Sequence, residues 1–298
     1  MKIAFYPCAV AVLFTLSATA QVHAEEKTLV IGTNNWAENI AVANLWKLVL
    51  DDKGYDIELS DVGKSALYAG MASNDIDLSL EIWLPNTDKE YLAPYKDTLE
   101  VHDAWYDKTA LGLVVPSYVD IDSIPELVER ADEFEYQGSP TILGIDSGSA
   151  IAALSDEAVE AYELPISQMN SSEPAMMSAL DSAYQNEQPI LVTLWSPHWA
   201  FANYDLKYLE DPENIYGDGD TIYWFSREGF SEDDPWLTAV LDAWHMSDDS
   251  WLPVSSHLRD DKRSGETGAP AFACSLLPRV DCGDCPRGTR QRVHASIY

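Results

Sequence analysis

The chain has 298 residues, 46% of them hydrophobic, with 50 acidic residues against 18 basic ones and a formal net charge of −32. That is enough apolar material to fill one large core or two lobes, which excludes an unstructured chain. With no basic face to neutralise phosphates, a nucleic-acid partner is excluded too; the acidic residues fall mostly on expected helix faces, as a solvated surface suited to a salty medium.

Residues 1–24 combine Lys2, an apolar core over 9–16 and a small-x-small end at Val22-His23-Ala24. They read as a secretory signal peptide, the apolar core being well short of the roughly 20 residues a bilayer requires. The mature protein is therefore expected outside the cytoplasm, in the periplasm or the extracellular medium.

Residues 29–36 (LVIGTNNW) predict a strand that ends at Trp36, and 38–50 a helix stopped by Lys53-Gly54. A strand over 57–62, a helix over 64–73 and a strand over 77–83 follow, the last cut off after Trp83 by Leu84-Pro85. This βαβαβ order implies a parallel sheet, with ligands bound beyond the carboxyl ends of its strands. An apolar strand at 111–115 is taken as the crossing into a second lobe, and 124–135 as a helix. The pattern then restarts: strand 141–146, the turn Ser147-Gly148-Ser149, helices 150–162 and 174–185, and strand 190–195 ending at Trp195 before Ser196-Pro197. Residues 221–225 return the chain to the first lobe and 234–245 form a short helix. Two such α/β lobes joined by two crossings make a hinged cleft, with 25–115 as the first lobe, 116–220 as the second and 221–253 as the return. From 254 to 298 the composition turns arginine-rich, takes three of the four cysteines and loses all periodicity. That segment reads as a disordered tail or the product of a shifted reading frame, and its lone Cys282-Gly-Asp-Cys285 is too few ligands for zinc.

Trp36, Trp83 and Trp195 each end a strand beside a turn. Tryptophan faces carry a negative quadrupole, so rings converging there can surround a quaternary ammonium that no hydrogen bond satisfies. Trp46, Trp105, Trp236 and Trp244 are read instead as core. The turn at Gly148, Ser149, Ala150 and Ile151 opens a helix whose first N–H groups suit an anion. Cage and turn together suit a small methylated zwitterion. Enzyme signals are lacking: Ser196 and His198 are neighbours without a GxSxG elbow, Asp218-Gly219-Asp220 reads as a turn, and Walker A, HExxH and GxGxxG stretches are absent. No metal site and no cofactor are expected.

The segments IGTNNWAENIAVANLW, LEIWLPNTDKEY, LGLVVPSYV, TILGIDSGSAI, SSEPAMMSAL, LVTLWSPHWAF and DLKYLEDPENIYG resemble the glycine betaine-binding proteins of osmoprotectant ABC importers. The resemblance runs from about residue 29 to about 251. It implies an α/β periplasmic-binding-protein (Venus flytrap) fold of two lobes, a monomer that captures a quaternary amine and hands it to a membrane permease. It also implies a cage of Trp36, Trp83 and Trp195, and ligand carboxylate binding by the backbone amides of Ala150 and Ile151. Some members have a histidine after WLPNT that bonds the carboxylate; this chain has Asp88, which would repel a carboxylate if it pointed inward. Glu38 is read as an exposed helix-start carboxylate, with a site role favouring a plain cation such as choline as the alternative. The other rivals are a ligand-presenting sensor protein and a secreted enzyme acting on methylated amines.

Overall fold

The computed structural model describes residues 27–247. The signal-peptide reading and the segment 254–298 lie outside those residues.

The first sheet is seeded by β1 (Lys27–Thr33), α1 (Ala37–Asp52), β2 (Tyr55–Asp61), α2 (Lys64–Ala72) and β3 (Leu78–Leu84), with β1 parallel to both β2 and β3. Helix α1 buries Ala41, Val42, Leu45, Trp46 and Val49, three or four residues apart. It stops where Gly54 takes φ +87°. A short α3 (Lys89–Leu92) and β4 (Leu99–Tyr106) follow. The chain then crosses through 107–109 into β5 (Ala110–Pro116), which pairs with strands of the second sheet. The boundary expected at residue 115 is thus too late: β5 lies wholly in the second lobe.

The second lobe continues through α4 (Leu127–Arg130), flanked by 3-10 turns, then β6 (Glu135–Tyr136), β7 (Ser139–Gly144), α5 (Ala150–Ala161), β8 (Ser167–Asn170), α6 (Glu173–Gln185), β9 (Leu191–Ser196), α7 (Ala200–Asn203) and β10 (Leu206–Tyr208). The single helix expected over 124–135 is broken because the backbone leaves the helical region at Arg130, φ −118°. Residues 209–220 lead back to β11 (Thr221–Arg227), which joins the first sheet between β3 and β4, and to α8 (Phe230–Asp233) and α9 (Pro235–Asp242). Asp234 caps α9 by accepting from Leu237 N at 3.1 Å.

The sheets run β2-β1-β3-β11-β4 and β10-β5-β9-β7-β6, with β8 paired to β7. The two βαβαβ units are therefore equivalent: β2-β1-β3 in one and β8-β7-β9 in the other, all parallel. Equivalent positions follow from this. Trp36 and Ser149 are the N-caps of α1 and α5, Lys64 and Glu173 are the first residues of α2 and α6, and Trp83 and Trp195 are the penultimate residues of β3 and β9.

The two crossings are stitched together. Thr109 Oγ1 donates to the Asp220 carbonyl at 2.6 Å and accepts from Asp220 N. Gly219, at φ +92°, lies so close that a Cβ there would sit 2.5 Å from the Thr109 carbonyl oxygen. Behind the first sheet, Trp105 stacks on Trp244 at 4.7 Å and Trp46 meets Trp244 edge-on at 5.4 Å, so these three are core. Trp236 is not: it is 46% exposed at the start of α9 and stacks on Tyr55.

Candidate functional site

A small cavity of about 40 Å³ lies between the lobes. The first lobe lines it with Trp36, Glu38, Lys64, Glu81, Trp83, Thr87 and Asp88; the second adds Leu111, Ile145, Ser149, Ala150, Ile151 and Trp195. The strand-end tryptophans meet here because the carboxyl ends of β3 and β9 face each other across the cleft. Each indole N–H turns toward a carboxylate. Trp36 Nε1 donates to Asp146 Oδ2 at 3.0 Å and Trp83 Nε1 to Glu81 Oε1 at 2.9 Å. The Trp195 N–H lies near enough to Glu38 to favour its carboxylate but makes no well-formed hydrogen bond. With the N–H edges of Trp36 and Trp83 committed to anions, their electron-rich faces are what remains open to the cavity.

Helix α5 starts beside the rings. Its cap Ser149 accepts from Ala152 N at 3.3 Å, and among the described residues no acceptor claims the N–H groups of Ala150 and Ile151. Gly148 does not line the cavity; its carbonyl receives the Tyr91 hydroxyl at 2.7 Å, tying the first lobe to this turn. Two more bonds span the cleft: the Trp36–Asp146 contact, and the N–H of Ala37, first in α1, to Glu173 Oε2 at 2.8 Å. Glu173 is held in turn by His198, whose Nδ1 accepts from Ala200 N and whose Nε2 therefore donates to Oε1 at 3.1 Å. Ser196 pairs with Tyr208 instead, so it and His198 form no nucleophile–base pair.

Glu38 is 1% exposed, which corrects the reading of it as a solvated helix-start carboxylate. Burial first, then the carboxylates of Glu81 and Glu173, pushes it well above the ordinary glutamate range. Glu81, just as buried, is raised by burial although the Lys64 ammonium pulls the other way. Sequence reading missed Glu81, yet it stands two residues before Trp83 on one strand and so shares its face. Asp88 does line the cavity, but its Oδ2 is occupied by Lys64 Nζ at 2.8 Å and by Trp83 N at 2.8 Å. The expected repulsion of a ligand carboxylate is thus answered by a partner cation that sequence reading also missed. Among the described residues no cluster of metal-ligating side chains exists.

A family model described as the substrate binding domain of ABC-type glycine betaine transport systems matches residues 27–273. The chain belongs to that family. The match runs past residue 251, where the sequence resemblance was placed, into the segment read as a tail. Among solved structures, this substrate-binding domain is similar to the glycine betaine/L-proline-binding protein ProX of Borrelia burgdorferi, at 33% identity and TM-score 0.76, covering 90% of this chain and 100% of that one. It is also similar to lactococcal OpuAC, solved closed with glycine betaine, at 26% identity and TM-score 0.75 over 90% and 98% of the two chains. A choline-binding protein at 22% identity and TM-score 0.75 shares the fold. The glycine betaine/carnitine transport binding protein GbuC of Listeria monocytogenes is 37% identical over 40% of this chain, a match spanning 41% of that protein's length.

Proposed function

We propose that this protein captures glycine betaine or a related quaternary amine outside the cytoplasm and delivers it to the membrane permease of an ABC importer. The observation that supports this reading best is the convergence of Trp36, Trp83 and Trp195 from two lobes on one cavity, with the N–H edges of Trp36 and Trp83 turned away onto carboxylates. Such a cage holds a methylated cation by ring faces alone, at roughly 0.5 to 2 kcal/mol per ring. The unclaimed N–H groups of Ala150 and Ile151 supply the complement for a carboxylate. On this reading, binding with closure of the lobes is the work. Export agrees with the sequence of residues 1–24, and among the described residues no helix is long and apolar enough to cross a membrane.

A choline-selective site is the second reading, favoured by the burial of Glu38 and Glu81 against the cage, two carboxyls that a plain cation would draw into the ionised form. Calorimetry of the purified protein against glycine betaine, proline betaine, choline and dimethylsulfoniopropionate tests both. Tightest binding to a betaine supports the first reading and tightest binding to choline the second. Heat from none of the four sinks the functional assignment.

A further inference from the structure

A cage for a quaternary ammonium gains nothing from a second cation, yet this cavity contains one. Lys64, the first residue of α2, has a side chain only 3% exposed, its ammonium 5.0 Å from the centre of the Trp36 ring and 2.8 Å from Asp88. Asp88 is its recorded partner among the described residues and takes one of its three N–H donors. At this depth of burial, an ammonium repels a ligand's cationic end and attracts an anionic one more strongly than it would in water.

The equivalence of the two βαβαβ units says what such a position does. Glu173 is the counterpart of Lys64, and it reaches across the cleft to the first N–H of α1, filling that helix start with a carboxylate. The equivalent helix start, that of α5, has no protein carboxylate on it. Lys64 shares the cavity with Ala150 and Ile151, the residues of that open helix start. At one place the cleft thus holds a built-in helix–carboxylate contact, while at the equivalent place it presents a helix start and an ammonium with no carboxylate bonded to that helix start among the described residues.

We infer that Lys64 reads the carboxylate of the ligand together with the start of α5, and so selects zwitterions over plain cations. The inference rests on the quaternary-amine reading above. Asp88 keeps the ammonium in place, and Glu38 and Glu81 line the part of the cavity left for the ligand's cationic end.

The test is calorimetry of glycine betaine and choline on the wild-type chain, on Lys64→Met and on Lys64→Met/Asp88→Asn, with melting curves for all three. The double variant removes both charges together, so Asp88 is not left buried and unpaired. In the double variant, betaine affinity falls about tenfold or more, the effect of losing a charge-assisted hydrogen bond. Choline affinity holds or rises in the same variant. Equal losses for both ligands would make Lys64 a packing residue, and a gain for both would make it a plug in the cation's place; either overturns the inference. A wild-type protein that binds choline but not betaine overturns it while leaving the broader function standing. Binding of neither ligand by the wild type removes the function and the inference together.

Discussion

Glu173 Oε2 accepts the N–H of Ala37 at 2.8 Å, a bond between the first residue of a helix in one lobe and the first residue of a helix in the other. Part-buried and made to a carboxylate, it stabilises the closed arrangement and is lost on opening. It touches neither end of a ligand directly. Glu173→Ala is expected to weaken every ligand by about the same factor, roughly tenfold or more. Glu173→Gln, which still accepts from Ala37, should lose less. The check is a set of dissociation constants beside small-angle scattering of the ligand-free protein, which should shift toward an open form in the alanine variant. A loss confined to one ligand would contradict the latch.

The cage makes a graded prediction. Trp36→Ala, Trp83→Ala and Trp195→Ala each remove one ring face, so affinity should fall by at least several-fold per ring. Trp236→Ala, at an exposed position, should leave affinity unchanged. Normal binding by all three cage variants, with melting curves intact, would dismantle the site.

The buried pair Glu38 and Glu81 predicts a pH response. Both carboxyls are raised, so the ligand-free fold binds more protons than the unfolded chain. Their contribution to stability is full below the ordinary glutamate range and is lost as pH rises through their folded-state values. A bound cation favours the charged carboxylates instead. Affinity should therefore rise as pH rises above the ordinary glutamate range, with proton release visible as a dependence of binding heat on the buffer's ionisation enthalpy. Glu38→Gln should flatten the profile. A flat profile in the wild type would mean that neither carboxyl senses the ligand.

At the hinge, Gly219→Ala places a methyl 2.5 Å from the Thr109 carbonyl at a backbone angle that alanine resists. The variant should lose about 1 to 3 kcal/mol of stability in urea titrations. An unchanged midpoint would show that the crossings are looser than they look.

How much of this was legible in the sequence divides along a physical line. The tryptophans at the ends of β3 and β9 announce themselves because a strand signal and a proline break flank each. The strands β4 and β8 were missed: LEVHDAWY is interrupted by His102 and Asp103, and SQMN is polar but for the exposed Met169, a tolerance that goes with strands at a sheet's edge. Charged groups of the site were harder still. Lys64, Glu81 and Glu38 look like surface residues until the other lobe covers them, and no local pattern encodes that burial. Trp236 erred the other way, since an aromatic in a helical stretch says nothing of which side it faces. The misplaced boundary at 115 has the same root: an apolar strand looks alike in either sheet.

The division of the cavity lining between lobes has a last consequence. Trp36, Trp83 and Lys64 belong to one body, Trp195 and the start of α5 to the other. On the proposed function, each alone would be a weak half-site and together they would act as a chelate, in which the first half's grip raises the effective concentration of the solute for the second. Affinity is then a property of the distance between two bodies more than of any residue. Whatever prises them apart by a few ångströms turns one firm grip into two weak ones, and the cargo leaves without any chemical step at the site.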